Sequence, residues 1–347
     1  MLSSLGWIYG KIADARNTLY DRGAFETFDL GARTISVGNV TAGGTGKTPL
    51  VQYVARVLAE RGKRVCILTR GYGRRDAKKR VLASDGIALM ADPSEAGDEP
   101  VELARNLLGK AIVIADADRV SAAEWAMRRF GVTAFVLDDG FQHRKAKRDV
   151  DIVCIDATDP FGGSKMLPSG RLREPLHNLS RADIIVITRS NLVNDLENLK
   201  SEISDLAPGV KIFTAKNKIT QVRPLDEFLE GGSTLADHSG FTGIGTLESP
   251  ATAFCGIGNP ASFYAHLRQE NFVLAGTLDF SDHQVYNQQH IAFIEESARR
   301  HTSVLLTTAK DAVKLSNLKF EIPCYVVEID MELDDDALFR ACCGDNT

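Results

Sequence analysis

The chain has 347 residues, 44% of them hydrophobic and 25% charged, with a net charge of −5. That length suffices for one large α/β domain with additions or for two domains, and the acidic balance argues against general nucleic-acid binding. No run reaches the roughly 18 apolar residues of a membrane span, no secretory leader is visible, and six cysteines without a C-x-x-C pair read as reduced residues of a cytosolic protein, not as a disulfide frame or zinc site.

Residues 1–23 place Leu2, Leu5, Ile8, Ile12 and Leu19 near helical spacing, with Trp7, Tyr9, Lys11, Arg16 and Arg22 among them. This pattern predicts an amphipathic helix that either lies in a membrane interface or packs on its own domain. Next, a β-branched run, Thr34 to Val37, leads into Thr41, Ala42, Gly43, Gly44, Thr45, Gly46, Lys47 and Thr48. Strand, glycine-rich turn and helix start form the layout of a phosphate-binding loop. Backbone N–H groups cradle phosphate, the lysine meets the β/γ-phosphates, and the threonine hydroxyl serves Mg²⁺. Thr41 stands where the strict motif has glycine, so the loop is a variant.

A helix is expected over residues 47–61, with Pro49 tolerated in its first turn and Gly62 closing it. Strands follow at 64–69, 111–115, 133–137, 150–155 and 183–188, and Val120, Ala123, Met127 and Phe130 mark a helical face between two of them. Strands alternating with helices predict an α/β fold, P-loop NTPase-like, with a mostly parallel sheet flanked by helices and ligands beyond the strands' carboxyl ends. This core spans residues 24–215. A linker is expected at 216–250, richest in Gly, Ser and Thr at 231–249. A second, smaller α/β unit covers 251–347, with strands at 251–256, 272–278, 303–308 and 325–329, a helix near 286–300 and a fraying acidic tail from Glu332.

Asp138 and Asp139 end an apolar strand, where carboxylates of a phosphate-loop protein hold the metal or its waters. Neighbours on an extended chain point oppositely, so one of the two is expected to reach the metal. Asp98 suits a helix N-cap with Pro100 in the first turn, and a cap beside a phosphate site can also act as a base. His283 follows Asp282 at a strand end of the second unit. If that unit closes over the first, His283 can orient a carboxylate such as Asp98. Arg171 and Arg173 stand in a Pro/Gly-bounded loop and Arg119 opens a helix, which suits them to an anionic substrate. The runs at 74–80 and 144–148 read as solvated charge.

Together these segments resemble the tetraacyldisaccharide 4′-kinases of bacterial lipid A synthesis. The resemblance rests on Ser36-Val-Gly-Asn39 running into Gly43-Gly-Thr-Gly-Lys-Thr-Pro49, on Thr69-Arg-Gly-Tyr-Gly73 and Gly97-Asp-Glu-Pro100, and on Asp138-Asp-Gly-Phe-Gln-His143. It continues through Leu167-Pro-Ser-Gly-Arg-Leu-Arg-Glu-Pro175, Gly256-Ile-Gly-Asn-Pro260, Asp282-His283 and Thr308-Ala-Lys-Asp-Ala-Val-Lys314. It implies phosphorylation by ATP, with Mg²⁺, of the 4′-hydroxyl of a tetraacylated disaccharide 1-phosphate to give lipid IVA. It also implies a peripheral enzyme on the cytosolic face of the inner membrane, which favours the membrane role of the first helix. Thr41 to Thr48 would hold the nucleotide, with Lys47 on phosphate and Thr48, Asp138 and Asp139 serving the metal. Asp98 would be the base, paired with His283. Glu99, Arg119, His143 and Arg171 would contact the lipid. Two departures stand out: Gln284 follows His283 where the family often has a second histidine, and Ala309 replaces a usual glutamate, which weakens any role for Lys310 and Asp311.

A P-loop GTPase switch is the competing reading, and a nucleotide-binding regulator without catalysis is a third. No N-K-x-D guanine motif stands here, and the set Lys47, Thr48, Asp98, Asp138 and His283 speaks for catalysis.

Overall fold

The computed structural model describes residues 2–230 and 250–344. In chain order the first elements are α1 (Leu2–Asp21), β1 (Arg33–Asn39), α2 (Lys47–Glu60), β2 (Val65–Thr69), β3 (Val81–Ser84), α3 (Pro93–Ala96), α4 (Asp98–Asn106) and β4 (Ala111–Ala115). They continue with α5 (Arg119–Phe130), β5 (Ala134–Asp138), β6 (Val150–Asp156), β7 (Ile184–Thr188), α6 (Glu197–Leu206), β8 (Lys211–Pro224) and α7 (Leu225–Glu230). The rest are β9 (Ala251–Cys255), α8 (Pro260–Gln269), β10 (Leu274–Asp279), α9 (Gln288–Ala298), β11 (Leu305–Thr308), α10 (Ala309–Ala312), β12 (Cys324–Leu333) and α11 (Asp336–Cys343).

The strands form one sheet in the order β10-β9-β11-β12-β8-β7-β6-β1-β5-β2-β4-β3. Strands β1, β2, β4, β5, β6 and β7 pair in parallel, and β3 adds an antiparallel edge. Strands β2, β4, β5 and β7 are buried along their whole length, as the near-continuous Val/Ile/Leu runs of a sheet covered on both faces require. Helices α2 and α4 cover one face through Leu50, Val54, Leu58 and Leu103, and α5 covers the other through Val120, Ala122 and Ala126. Because β1 lies between β5 and β6, the carboxyl ends of β1, β5 and β2 open together at the point where loops diverge to both sides.

Two expectations need correction. The stretch from 216 is not a linker at its start, because β8 runs to Pro224 and α7 to Glu230; the Gly/Ser/Thr-rich part, 231–249, lies outside the described residues. Strand β8 pairs in parallel with β7 over Lys211–Thr214 and antiparallel with β12 from Ala215 to Pro224, so one strand carries the sheet from the first unit into the second. Nor does the acidic tail fray over its described residues, 332–344. Asp335 caps α11 by accepting from Leu338 N–H, and Phe339 is fully buried against Tyr53 and Phe213, edge to face.

Helix α1 reverses ordinary packing. Gly6, Gly10 and Asn17 are buried, whereas Leu5, Trp7, Ile8, Tyr9, Ile12 and Leu19 are exposed. The helix is tied down by polar contacts: Asn17 Nδ2 donates to the buried Glu174, Arg16 donates to the Gln142 carbonyl, and Arg144 bridges the Asn17 carbonyl and Asp21. The alternative in which its apolar face packs on the domain does not hold. Among the described residues, no helix is long and apolar enough to cross a membrane.

Candidate active site

The phosphate loop leaves β1 at Asn39, whose side-chain amide donates to the Thr41 carbonyl and to Thr45 Oγ1, both buried contacts. Gly46, at φ 76°, precedes α2 and offers no side-chain acceptor to it, so the first-turn N–H groups of α2 are left for an anion. The loop is braced from two directions. The 171–173 segment pairs with it through Ala42 N–H to Arg171 O (2.6 Å) and Arg173 N–H to Val40 O (2.8 Å). From the far side, Thr188 Oγ1 donates to Thr45 O (2.8 Å), and Arg189 donates to Gly44 O (2.8 Å) while pairing with the buried Asp156.

A cavity of about 580 Å³ opens over this loop. Gly43 to Thr48, Glu99, Asp138, Asp139 and His283 all line it, and the second unit contributes Gly258, Asn259, Asp282 and Lys310. Among the described residues five non-glycine positions have positive φ, and three of them, Asp139 (51°), Arg189 (56°) and His283 (60°), line this cavity. Backbone held in a costly region at three points around one cleft is the distribution expected of a functional site.

The two aspartates after β5 differ in environment, as the alternation along an extended chain requires. Asp138 is buried, accepts from Thr69 Oγ1 (2.8 Å), and its carbonyl accepts from Arg119 (2.6 Å). Burial, with the Glu99 and Asp139 carboxylates nearby, raises its carboxyl to about 6. Asp139 is also pushed up by burial, but Lys47 (3.4 Å) and a two-oxygen contact from Arg173 (2.7 Å to each) outweigh that and hold it well below the usual carboxylate range.

Across the cavity, His283 Nδ1 lies 3.1 Å from Asp98 Oδ1 and 3.0 Å from Oδ2. Asp98 is the first residue of α4, and Gly97 holds the cap position where Asp98 was expected. Burial pushes the Asp98 carboxyl up, yet the His283 hydrogen bond and the ammonium groups of Lys310 and Lys314 outweigh it and hold the group down at about 2. The same hydrogen bond raises His283 above its ordinary value against the effect of burial. Beside this pair, Lys310 Nζ bridges Glu99 Oε1 and Asp282 Oδ1, at 3.1 Å each. Thus Lys310 lines the cavity although Ala309 breaks the late motif, whereas Asp311 is fully buried outside the lining.

Not every expected residue faces the cavity: Thr41, Ala42 and Asp98 are outside its lining, Asp98 meeting it through His283. Arg171 braces the loop by donating to Ala42 O (2.8 Å) and pairing with Asp159 (2.5 Å), whereas Arg173 lines the cavity. Arg119 is buried behind Asp138. His143 also stands outside the lining, its imidazole lowered to about 3 by burial and by the charges of Arg119, Arg148 and Arg16. In the basic run, Arg74 is no solvated charge: it is buried and donates to the carbonyls of Ala77, Lys79 and Ala115. Arg189 went unnoticed in the sequence because it follows an apolar strand without a motif; Thr69 and Arg173 stood inside quoted segments.

Residues 1–343 match the family described as tetraacyldisaccharide-1-P 4′-kinase. Tetraacyldisaccharide 4′-kinases of Halothermothrix orenii and Geobacter metallireducens are each 38% identical to the chain, over 96% of its length and 88% and 94% of theirs. The crystal structure of the Aquifex aeolicus LpxK in complex with ATP superposes with a TM-score of 0.73 at 30% identity, covering 99% of this chain and 98% of that one. With phosphate loop, paired aspartates and cross-unit dyad in the same cleft, the chain belongs to the tetraacyldisaccharide-1-P 4′-kinase family.

Proposed function

We propose that this chain transfers the γ-phosphoryl group of ATP to the 4′-hydroxyl of a tetraacyldisaccharide 1-phosphate, with Asp98 as the base. The observation that carries this reading is the 3.0 Å contact between Asp98, on the first unit, and His283, on the second, at the cleft that holds the phosphate loop. A carboxylate kept ionised by a histidine and two ammonium groups is in the state required to accept the hydroxyl proton. His283 orients that carboxylate, and Lys47 with the first turn of α2 meets the charge that spreads over the transferring phosphoryl oxygens.

The residues present fit a magnesium ion carried on the nucleotide. Thr48 stands in the first turn of α2, and the Asp138 carboxyl, raised by burial and by the Glu99 and Asp139 carboxylates, would be drawn back to its ionised form by a cation beside it. Among the described residues no cluster of three or more carboxylate, histidine or cysteine side chains could hold a metal alone. That agrees with an ion bound chiefly through phosphates. Thr48 and Asp138 would hold it, with Asp139 beside them, and it would supply charge neutralisation at the phosphate oxygens. Arg119, His143 and Arg171 act behind the cavity wall, while Glu99 faces the acceptor. The exposed apolar face of α1 supports a peripheral seat on the cytosolic leaflet of the inner membrane, next to a lipid substrate.

The test is transfer of labelled phosphate from ATP to the disaccharide 1-phosphate in detergent micelles. We expect Asp98→Ala to lower kcat by about 10²–10⁴-fold, the usual worth of a general base, with ATP affinity within about twofold. Undiminished turnover in Asp98→Ala would remove Asp98 from the reaction.

A further inference from the structure

Asp311 is fully buried and is the centre of a fixed framework built within the second unit. Its carboxylate accepts from Gly256 N–H (3.0 Å) at the end of β9, from Tyr286 OH (3.1 Å), and from Thr308 Oγ1 (2.8 Å) at the end of β11. Three donors on separate segments leave it one orientation. Lys314, one turn beyond, places Nζ 2.9 Å from Asp311 Oδ1 and over the Tyr286 ring at 5.4 Å. The Lys314 side chain is only 9% exposed, yet its ammonium lies 3.7 Å from Asp98 Oδ2, on the other unit.

We infer that Lys314 is a positioning residue for the base: anchored by Asp311, it seats the Asp98 carboxylate against His283. This inference rests on the reading of Asp98 as the base. Asp98 projects from the first residue of a helix whose cap is a glycine, so its own element gives it little side-chain restraint beyond the Glu99 N–H (3.0 Å). His283 touches both of its oxygens and on its own allows the carboxylate to pivot. A second cation at Oδ2 removes that freedom. A buried ammonium is strongly disfavoured without anionic partners, so Lys314 draws Asp98 into place as firmly as Asp98 attracts Lys314. Lys310, four residues earlier, makes the parallel contact to Glu99. The turn carrying both lysines therefore couples seating of the base to docking of the second unit on α4.

The experiment is a double-mutant cycle on the full chain, with kcat, equilibrium ATP affinity and the thermal midpoint measured for Lys314→Met, Lys314→Arg, Asp98→Ala and the two combinations. We expect Lys314→Met to lower kcat roughly ten- to a hundredfold, the scale of a misplacement of about 1 Å at a reacting group, with ATP affinity held. Lys314→Arg should recover most of the loss. In the Asp98→Ala background the Lys314→Met change should cost nothing more, since residues acting as a unit are not additive. Additive losses, or a parent-like kcat in Lys314→Met, would overturn the role of Lys314 while leaving Asp98 as the base. Parent-like turnover in Asp98→Ala would instead overturn the base itself. If Lys314→Met does not fold, Lys314→Arg carries the same comparison: any change in kcat that it causes must vanish in the Asp98→Ala background.

Discussion

Lys47 Nζ lies 3.4 Å from Asp139 Oδ1, and Arg173 holds the same carboxylate from the other side. The phosphate-loop lysine therefore has an anion of the protein's own in reach before any phosphate arrives. Asp139 competes with the nucleotide for the two cations that would meet it, and repels its phosphates directly. We expect Asp139→Asn to bind ATP more tightly in the presence of a chelator, by about fivefold or more, the equivalent of the roughly 1 kcal/mol of one unit-charge contact fully screened by water. Turnover with magnesium should fall in the same variant. Calorimetric titration in EDTA decides the matter, and unchanged or weaker binding would show that the Lys47–Asp139 contact does not compete.

The contact between Asp98 and His283 fixes how stability depends on pH. His283 is raised above its ordinary 6.5, so its contribution is fully present below 6.5 and is lost as pH rises through the raised value. Asp98 is depressed from its ordinary 3.8 to about 2, so its contribution is present above 3.8 and is lost as pH falls toward 2. The pair should stabilise most between about pH 4 and 6.5. His283→Asn suits the test because asparagine tolerates the positive φ of this position. In denaturant titrations from pH 5 to pH 9, the stability gap between parent and His283→Asn should narrow as pH rises. A gap independent of pH would mean that the imidazole makes no proton-linked contact in the folded state.

The phosphate loop is also touched by the Gly256-Ile-Gly-Asn-Pro260 turn of the second unit. A Cβ on Gly258 would lie 2.5 Å from Gly44 N, a distance that only a shift of backbone can relieve. Asn259, next in the turn, donates to Asp156, which pairs with Arg189 behind the same loop. Gly258→Ala should thus push the turn off the loop at a cost of about 1–3 kcal/mol, typical of overpacking. We expect this to appear as roughly tenfold weaker ATP binding, or more, with a fall of only a few degrees in the thermal midpoint. Parent-like ATP affinity would mean that the loop tolerates the displaced turn.

These contacts explain what was legible in the sequence. The parallel strands were plain because burial on both faces demands apolar runs such as Ile184–Thr188. The polar residues at their ends stood in recognisable spacing. Strand β8 was hidden because its two faces differ in exposure along its length, and Lys216, Asn217 and Lys218 interrupt the apolar alternation. Helix α11 was hidden because it is short, follows the acidic run 334–336, and buries only Phe339 and Cys343. Within the site, the pairing of Asp98 with His283 was legible through the resemblance, whereas the two-oxygen geometry of the contact needs the packing of the second unit on α4. Lys314 was likewise visible as a letter in a late motif but silent as to its partners, which lie on another unit.

The outward apolar face of α1 leads to the last prediction. Trp7 is 66% and Ile12 62% exposed, and Ile8 stands between them, while the small and polar residues of the same helix face the protein. An exposed apolar face of this kind fits the proposed seat on a lipid surface, and Lys11, with its ammonium 5.8 Å from the Trp7 ring, suits an anionic headgroup layer. Changing Trp7, Ile8 and Ile12 together to serine should leave the thermal midpoint near that of the parent, since these side chains point to solvent. Binding to phosphatidylethanolamine–phosphatidylglycerol vesicles should weaken by roughly a hundredfold, given about 1 kcal/mol or more for each side chain withdrawn from the interface. Sedimentation with vesicles measures the affinity, and a blue shift of Trp7 emission in the parent reports insertion directly. Equal binding by parent and triple variant would move the membrane contact elsewhere on the surface. A lower midpoint in the variant would mean that the face packs against the protein after all.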